Sequence, residues 1–234
     1  MKPIRIFTHI ACEPPGYLAD LLDKLGYPYE QVCLYDGVEL PVDLDSVSGL
    51  VIMGGPGNVN QPTGWMAQEI ELIRMAYAND TPILGICLGA QLMSKALGGD
   101  VHQGQSVEVG WHQVQLLPAA SSSPYFTDAE EIFQVFQWHA HVFSPPPFAE
   151  PLAISDCTEC QAYTYNNSLA VQFHLEMTEE IIRDLIQRYG SDLEGDSSCV
   201  QNRGQILEDI SNKARRVNAM ADIIFTPWFR SLID

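Results

Sequence analysis

Residues 83–99, ILGICLGAQLMSKALGG, contain a buried strand and a helix joined by one cysteine. The apolar run 83–86 predicts the strand, and the apolar positions after it recur with the helical period. Cys87 lies at the junction, with Gly85 two residues before it and Gly89 two residues after it. A sharp strand-to-helix turn needs small residues at both positions and exposes the side chain between them. These residues alone leave two interpretations of Cys87 open, a buried packing residue and a nucleophile.

The flanking sequence repeats the strand-helix order. Apolar patterns predict strands near residues 2–10, 29–37 and 50–53, and helices over residues 16–26 and 64–80. After Gly99 the pattern changes to strand-like segments at 106–117, 131–143, 152–167 and 168–176. The predicted fold class is α/β, a three-layer, mostly parallel central sheet flanked by helices, with an antiparallel or mixed portion at its edge.

The C-terminal part predicts two further helices. Thr178 is suited to begin the first and Gly190 to end it. After a polar loop, apolar residues recur from Gln205 onward and predict one long amphipathic helix that ends at Pro227. We expect residues 1–190 to form the main domain, and residues 191–234 to form a loop and helix that pack on it.

Composition excludes several classes of protein. The 234 residues carry a formal net charge of −18, which argues against binding of nucleic acid. No run of about 18 apolar residues predicts a membrane span, and the first residues alternate as in a strand rather than a signal peptide. Six cysteines in a chain of this length do not form a disulfide framework. We therefore expect reduced thiols, a cytoplasmic location and no membrane partner.

A second candidate for chemistry is AVQFHLE, residues 170–176. His174 and Glu176 are two residues apart near the end of a predicted strand, where such side chains point the same way. A carboxylate could then orient the imidazole as a base for a cysteine nucleophile. The alternative is a surface histidine beside a glutamate that caps the next helix.

Three segments together resemble the class I glutamine amidotransferases. GICLGAQL and VQFHLE resemble the motifs that carry the cysteine and the histidine-glutamate pair in that family. VIMGGPGN, residues 51–58, resembles its glycine-rich oxyanion strand. The resemblance covers about residues 1–190 and is nearest to the amidotransferase domain of the GMP synthase type.

The resemblance implies a catalytic triad and an oxyanion hole. Cys87 would attack the side-chain amide of glutamine, His174 would transfer the proton and Glu176 would orient His174. The backbone N–H groups of Gly55 and Leu88 would stabilise the oxyanion.

The same resemblance implies substrate-binding residues and one departure. Gln91 matches the glutamine-binding position, and Gln137, Trp138 and His139 match a segment that holds the amino-acid end of the substrate. The family usually has proline between the histidine and the glutamate, where this chain has Leu175. Leucine keeps the spacing and restores a backbone N–H, so we expect the triad to be retained.

The expected ligand is glutamine or a γ-glutamyl small molecule, with no cofactor. Ammonia released from glutamine would need an acceptor, so a separate synthetase subunit is a possible partner. Two alternatives are a stand-alone γ-glutamyl hydrolase or peptidase with the same triad, and a binding protein without activity. Cys157 and Cys160 form one C-x-x-C pair, but a structural zinc site needs further ligands, so we predict no metal site.

Overall fold

The computed structural model describes residues 1–193 and 197–232. Its strands belong to one nine-stranded sheet in the order β2-β1-β3-β4-β9-β8-β7-β5-β6. The strands are β1 Ile4–Thr8, β2 Tyr29–Cys33, β3 Gly49–Ile52, β4 Ile83–Ile86, β5 Val101–Leu116, β6 Ile132–Phe143, β7 Pro151–Ile154, β8 Ala162–Tyr165 and β9 Ser168–Val171. The helices are α1 Tyr17–Leu25, α2 Trp65–Ala78, α3 Leu88–Ala96, α4 Glu179–Tyr189, α5 Arg203–Leu207 and α6 Ile210–Arg230.

The sheet has a parallel half and an antiparallel half. Strands β2, β1, β3, β4 and β9 are parallel to their neighbours, and the pairs from β9 through β8, β7 and β5 to β6 are antiparallel. The central strands of the parallel half alternate between two apolar clusters, as shown by Val51 on one face and Leu50 and Ile52 on the other. Helices α1, α4 and α6 cover the first face, and α2 and α3 cover the second. The predicted three-layer fold class is confirmed.

One predicted strand differs from the structure. The segment 152–167 forms two strands, β7 and β8, because residues 155–161 turn back on themselves with the Ser155 N–H donating to Thr158 O at 2.9 Å. Gly190 ends α4 as predicted: the helix finishes at Tyr189, Gly190 has a φ of −59°, and the chain continues into a 3-10 turn, Gly190–Leu193.

The predicted single C-terminal helix is also wrong. This part of the chain forms two helices, α5 and α6, which are separated at Asp209, where φ is +53°. Pro227 lies inside the last turn of α6 instead of ending it, and the helix continues to Arg230. The aromatic residues Trp228 and Phe229 are completely buried.

The expectation of reduced thiols is contradicted by a disulfide between Cys157 and Cys199, 42 residues apart in sequence. The pairing forms because the tail returns to the sheet: the Val109 N–H of β5 donates to Cys199 O at 2.9 Å. Cys160, the other half of the C-x-x-C pair, is a free and buried thiol. The cytoplasmic location loses the support of reduced thiols and stays a prediction.

Candidate active site

Cys87 lies on the sharp turn that its two flanking glycines predict. Its φ of +51° and ψ of −105° are rare for a residue with a side chain, and the Cys87 N–H donates to Val171 O at 2.8 Å. A Cβ atom at Gly85 would lie 2.8 Å from the carbonyl carbon of Gly89, and one at Gly89 would lie 2.0 Å from Ile52 O. Glycine is therefore required at both positions, and the strained conformation of Cys87 marks a candidate functional residue.

His174 and Glu176 form a buried pair beside Cys87. Strand β9 ends at Val171, before it reaches His174. The backbone of His174 is held by an isolated β-bridge to Phe136 of β6. The Nδ1–H of His174 donates to Glu176 Oε1 at 2.6 Å, and each side chain is only 1% exposed. The Leu175 N–H, which proline would lack, donates to Glu176 Oε2 at 3.0 Å.

The electrostatics of this pair favour a protonated imidazole. Burial lowers the pKa of His174, but the charge of Glu176 and hydrogen bonds with Cys87 and Glu176 outweigh it, so the pKa is well above its ordinary value. Cys87 also accepts a hydrogen bond from Gln172 Nε2 at 3.5 Å. The thiol, the imidazole and the carboxylate thus form a continuous polar chain that could carry out nucleophilic catalysis.

A cavity of about 670 Å³ opens in front of Cys87. Gly55, Leu88, Gln91, Trp138 and His139 line it, as a shared binding site would require.

Gln137 and Gln91 make hydrogen bonds inside the protein. Gln137 is fully buried and is not among the residues that line this cavity; its Nε2 donates to Gln161 Oε1 at 2.9 Å. The amide of Gln91 donates to His141 O at 3.0 Å and to Gln172 Oε1 at 3.3 Å.

His9, which the sequence analysis missed, makes a hydrogen bond to the backbone of the predicted oxyanion strand. The Nδ1–H of His9 donates to Gly54 O at 2.9 Å, and Nε2 lies 3.0 Å from Glu69 Oε2. Burial lowers the pKa of His9, but the charge and hydrogen bond of Glu69 and the bond to Gly54 outweigh this, so the pKa is raised. Because the peptide after Gly54 is trans, the N–H of Gly55 points away from His9, and Gly55 lines the cavity.

Glu13 is a second residue that the sequence analysis missed. It lies at the cavity edge, and its carboxyl group approaches the triad. A Cβ atom at Gly54 would lie 2.5 Å from Glu13 Oε2, 3.0 Å from His174 Cε1 and 3.7 Å from Cys87 Cβ. Burial raises the pKa of Glu13, against the opposing effect of His174. The available signal was its position: Glu13 follows β1, as Cys87 follows β4, and carboxyl ends of parallel strands share one edge of a sheet.

The buried carboxylate of Glu108 contacts His139, which lines the cavity. Glu108 lies 3.1 Å from His139 Nε2 and accepts hydrogen bonds from Ser155, Thr158 and Gln161 at 2.7, 2.5 and 2.9 Å. Burial raises the pKa of Glu108, but His139 and the two hydroxyl donors outweigh it and lower the pKa.

The C-terminal tail completes the cavity. Ser197 and Val200 line it, and the Gln201 N–H donates to Val109 O at 2.9 Å. The Cys157–Cys199 disulfide fastens this segment to the loop between β7 and β8.

Three curated proteins resemble this chain in sequence. The glutamine amidotransferase-like protein YfeJ of Salmonella typhimurium is 29% identical over 81% of this chain and 82% of its own length. Gamma-glutamyl peptidase 4 of Arabidopsis thaliana is 29% identical over 72% of this chain and 69% of its own length. A glutamine-hydrolyzing GMP synthase of Aromatoleum aromaticum is 28% identical over 71% of this chain but only 32% of its own length.

The fold is shared with a solved glutamine amidotransferase from Methylobacillus flagellatus. That structure is 30% identical, covers 98% of this chain and 95% of its own, and superposes with a TM-score of 0.92. Among the described residues, no helix has the length and apolar character needed to cross a membrane. The sequence model of class-I glutamine amidotransferases matches residues 17–187. The chain belongs to the class-I glutamine amidotransferase family.

Proposed function

We propose that the protein hydrolyses the side-chain amide of glutamine, releasing ammonia, with Cys87 as the nucleophile. Cys87 passes its thiol proton to His174 as Sγ attacks the carbonyl carbon, and the C–N bond breaks as His174 gives that proton to the leaving nitrogen. Water then hydrolyses the γ-glutamyl thioester. The observation that carries the proposal is the buried chain from Cys87 through His174 to Glu176, with its 2.6 Å hydrogen bond.

Glu176 and two backbone N–H groups support this reaction. Glu176 holds the imidazole in the orientation that aims Nε2 at the thiol, and its charge stabilises the imidazolium. The N–H groups of Gly55 and Leu88 donate to the oxyanion, and removing one such donor typically costs about 3 kcal/mol of transition-state stabilisation. The hydrogen bond from His9 to Gly54 O supports an oxyanion hole that is already formed in the free protein.

A second candidate is hydrolysis of larger γ-glutamyl amides by the same triad. The cavity, at about 670 Å³, is larger than one glutamine side chain needs and could hold an amine that remains attached to the γ-carbonyl. Gamma-glutamyl peptidase 4 is a relative of comparable coverage. If glutamine is the substrate instead, we propose a separate synthetase subunit as the acceptor of ammonia, as the GMP synthase relative suggests.

The test is a substrate panel with glutamine, γ-glutamyl amines and γ-glutamyl peptides, in which released ammonia, amine and glutamate are measured. Cys87→Ser is the control that removes the nucleophile and keeps the size of the side chain. Turnover of γ-glutamyl amines without turnover of glutamine would replace the first candidate by the second. Absence of turnover, together with no preferential alkylation of Cys87, would contradict both and favour a binding protein without activity.

A further inference from the structure

Glu13 is a carboxyl group at the triad to which the proposed mechanism gives no task. It lines the cavity in front of Cys87 and is half-buried there. Within residues 1–193 and 197–232, no hydrogen bond reaches its carboxyl oxygens. These oxygens are therefore free to accept a hydrogen bond from a ligand in the cavity.

The position of Glu13 relative to the triad determines which part of a bound substrate it would contact. One point in space, the missing Cβ of Gly54, lies 2.5 Å from Glu13 Oε2, 3.0 Å from His174 Cε1 and 3.7 Å from Cys87 Cβ. Glu13 Oε2 therefore lies close to both the imidazole of His174 and the side chain of Cys87. In the proposed reaction His174 gives its proton to the leaving nitrogen, so that nitrogen lies beside His174 as well.

The hydrogen-bonding chemistry of the Glu13 carboxyl group determines which substrate atom it can bind. A carboxyl oxygen accepts a hydrogen bond from N–H, and the nitrogen of a primary or secondary amide carries at least one. Accepting it would hold the amide so that the lone pair that develops on nitrogen faces His174 rather than the cavity. An ester oxygen in the same place offers no hydrogen and would gain nothing from Glu13.

We propose that the Glu13 carboxyl group binds the leaving nitrogen of the substrate, accepting a hydrogen bond from its N–H as the C–N bond breaks. The inference rests on the proposed function and adds the substrate class: amides whose nitrogen carries hydrogen. The thioester bond to Cys87 forms, the C–N bond breaks, and the proton on the departing amine comes from His174. Glu13 neither gains nor loses a proton in this step.

The test compares γ-glutamyl methylamide with γ-glutamyl methyl ester, which differ only in N–H against O. Glu13→Leu removes the acceptor, and Glu13→Gln keeps one acceptor oxygen. We expect Glu13→Leu to lower kcat/KM for the amide about 10-fold to 100-fold, the range of one lost hydrogen bond, and to leave the ester within about 3-fold. Glu13→Gln should retain more amide activity than Glu13→Leu. Equal losses on both substrates, or no loss on the amide, would overturn the proposal.

A binding experiment keeps the result independent of turnover. In the Cys87→Ala protein, calorimetric titration with the same amide and ester should show that Glu13→Leu weakens binding of the amide only. If amide binding to the Cys87→Ala protein depends on Glu13 but the wild-type protein shows no turnover, the proposed function is rejected and the subsite is kept. Turnover by the wild type with no dependence on Glu13 would reject the subsite and keep the function. Failure to bind either compound would reject the subsite.

Discussion

Replacing Gly89 by alanine should destabilise the protein through one close approach between α3 and β3. The added Cβ would lie 2.0 Å from Ile52 O, 2.7 Å from Ile52 C and 3.0 Å from Ile52 Cβ. Two of these atoms are main chain, so no rotamer change relieves the overlap, and the helix and strand must separate by about 1 Å. Overpacking typically costs about 1–3 kcal/mol, occasionally more, and the better helix propensity of alanine returns about 1 kcal/mol.

Backbone overlap belongs at the upper end of that cost, so we expect the free energy of unfolding to fall by about 2 kcal/mol. In a chain of this size that lowers Tm by roughly 4–8 °C, which calorimetry and urea unfolding can measure. The matched control is Gly190→Ala: Gly190 has a helical φ of −59° and no atom within 4 Å of its Cβ position. It should gain about 0.4–1 kcal/mol. Equal stability of Gly89→Ala and the wild type, or an equal fall in both variants, would refute the reasoning.

Three further predictions concern the triad and the disulfide. Glu176→Gln should lower kcat by roughly 10⁴-fold, as expected when the orienting carboxylate is lost, whereas Glu180→Gln, at an exposed position, should leave it unchanged in steady-state assays. Because the pKa of His174 is raised in the folded protein, its protonation stabilises the fold fully below the ordinary pKa of 6.5, and this stabilisation is lost as pH rises through the raised value. The free energy of unfolding should therefore decline above about pH 6.5, and decline less in Glu176→Gln; identical pH profiles would contradict this. Reduction of Cys157–Cys199, which closes a loop of 42 residues, should cost about 4 kcal/mol of stability, and thiol titration of the unfolded, unreduced protein should find four thiols of six.

The local patterns were sufficient for the central fold. The run 83–86 and the glycines around Cys87 predict a strand, a turn and a helix, and all three are present because each is determined by neighbouring residues. His174 and Glu176 do not lie on the strand predicted for them, because β9 ends at Val171. Their backbone follows a bridge to Phe136, a contact between residues far apart in sequence that periodicity does not reveal.

The parts of the site that were missed depend on such distant contacts. His9 and Glu13 follow β1 and look like ordinary loop residues in sequence, and only the sheet order brings them beside β3 and β4. The disulfide was missed for the same reason, since Cys157 and Cys199 meet only once the tail lies along β5. For Leu175, the sequence predicts the backbone N–H that a proline would lack. It does not predict that this N–H donates to the side chain of Glu176.

Some residues that line the cavity lie inside the region matched by the family model, and others lie outside it. The matched region, residues 17–187, contains the proposed nucleophile, its proposed base and the backbone groups proposed for the oxyanion hole. Glu13 lies before that region, and Ser197 and Val200 lie after it, yet all three line the same cavity. The residues proposed to carry out the reaction thus lie in the matched region, while segments before and after it supply part of the cavity wall. Differences in substrate between this chain and its relatives are therefore to be sought first in these two end segments.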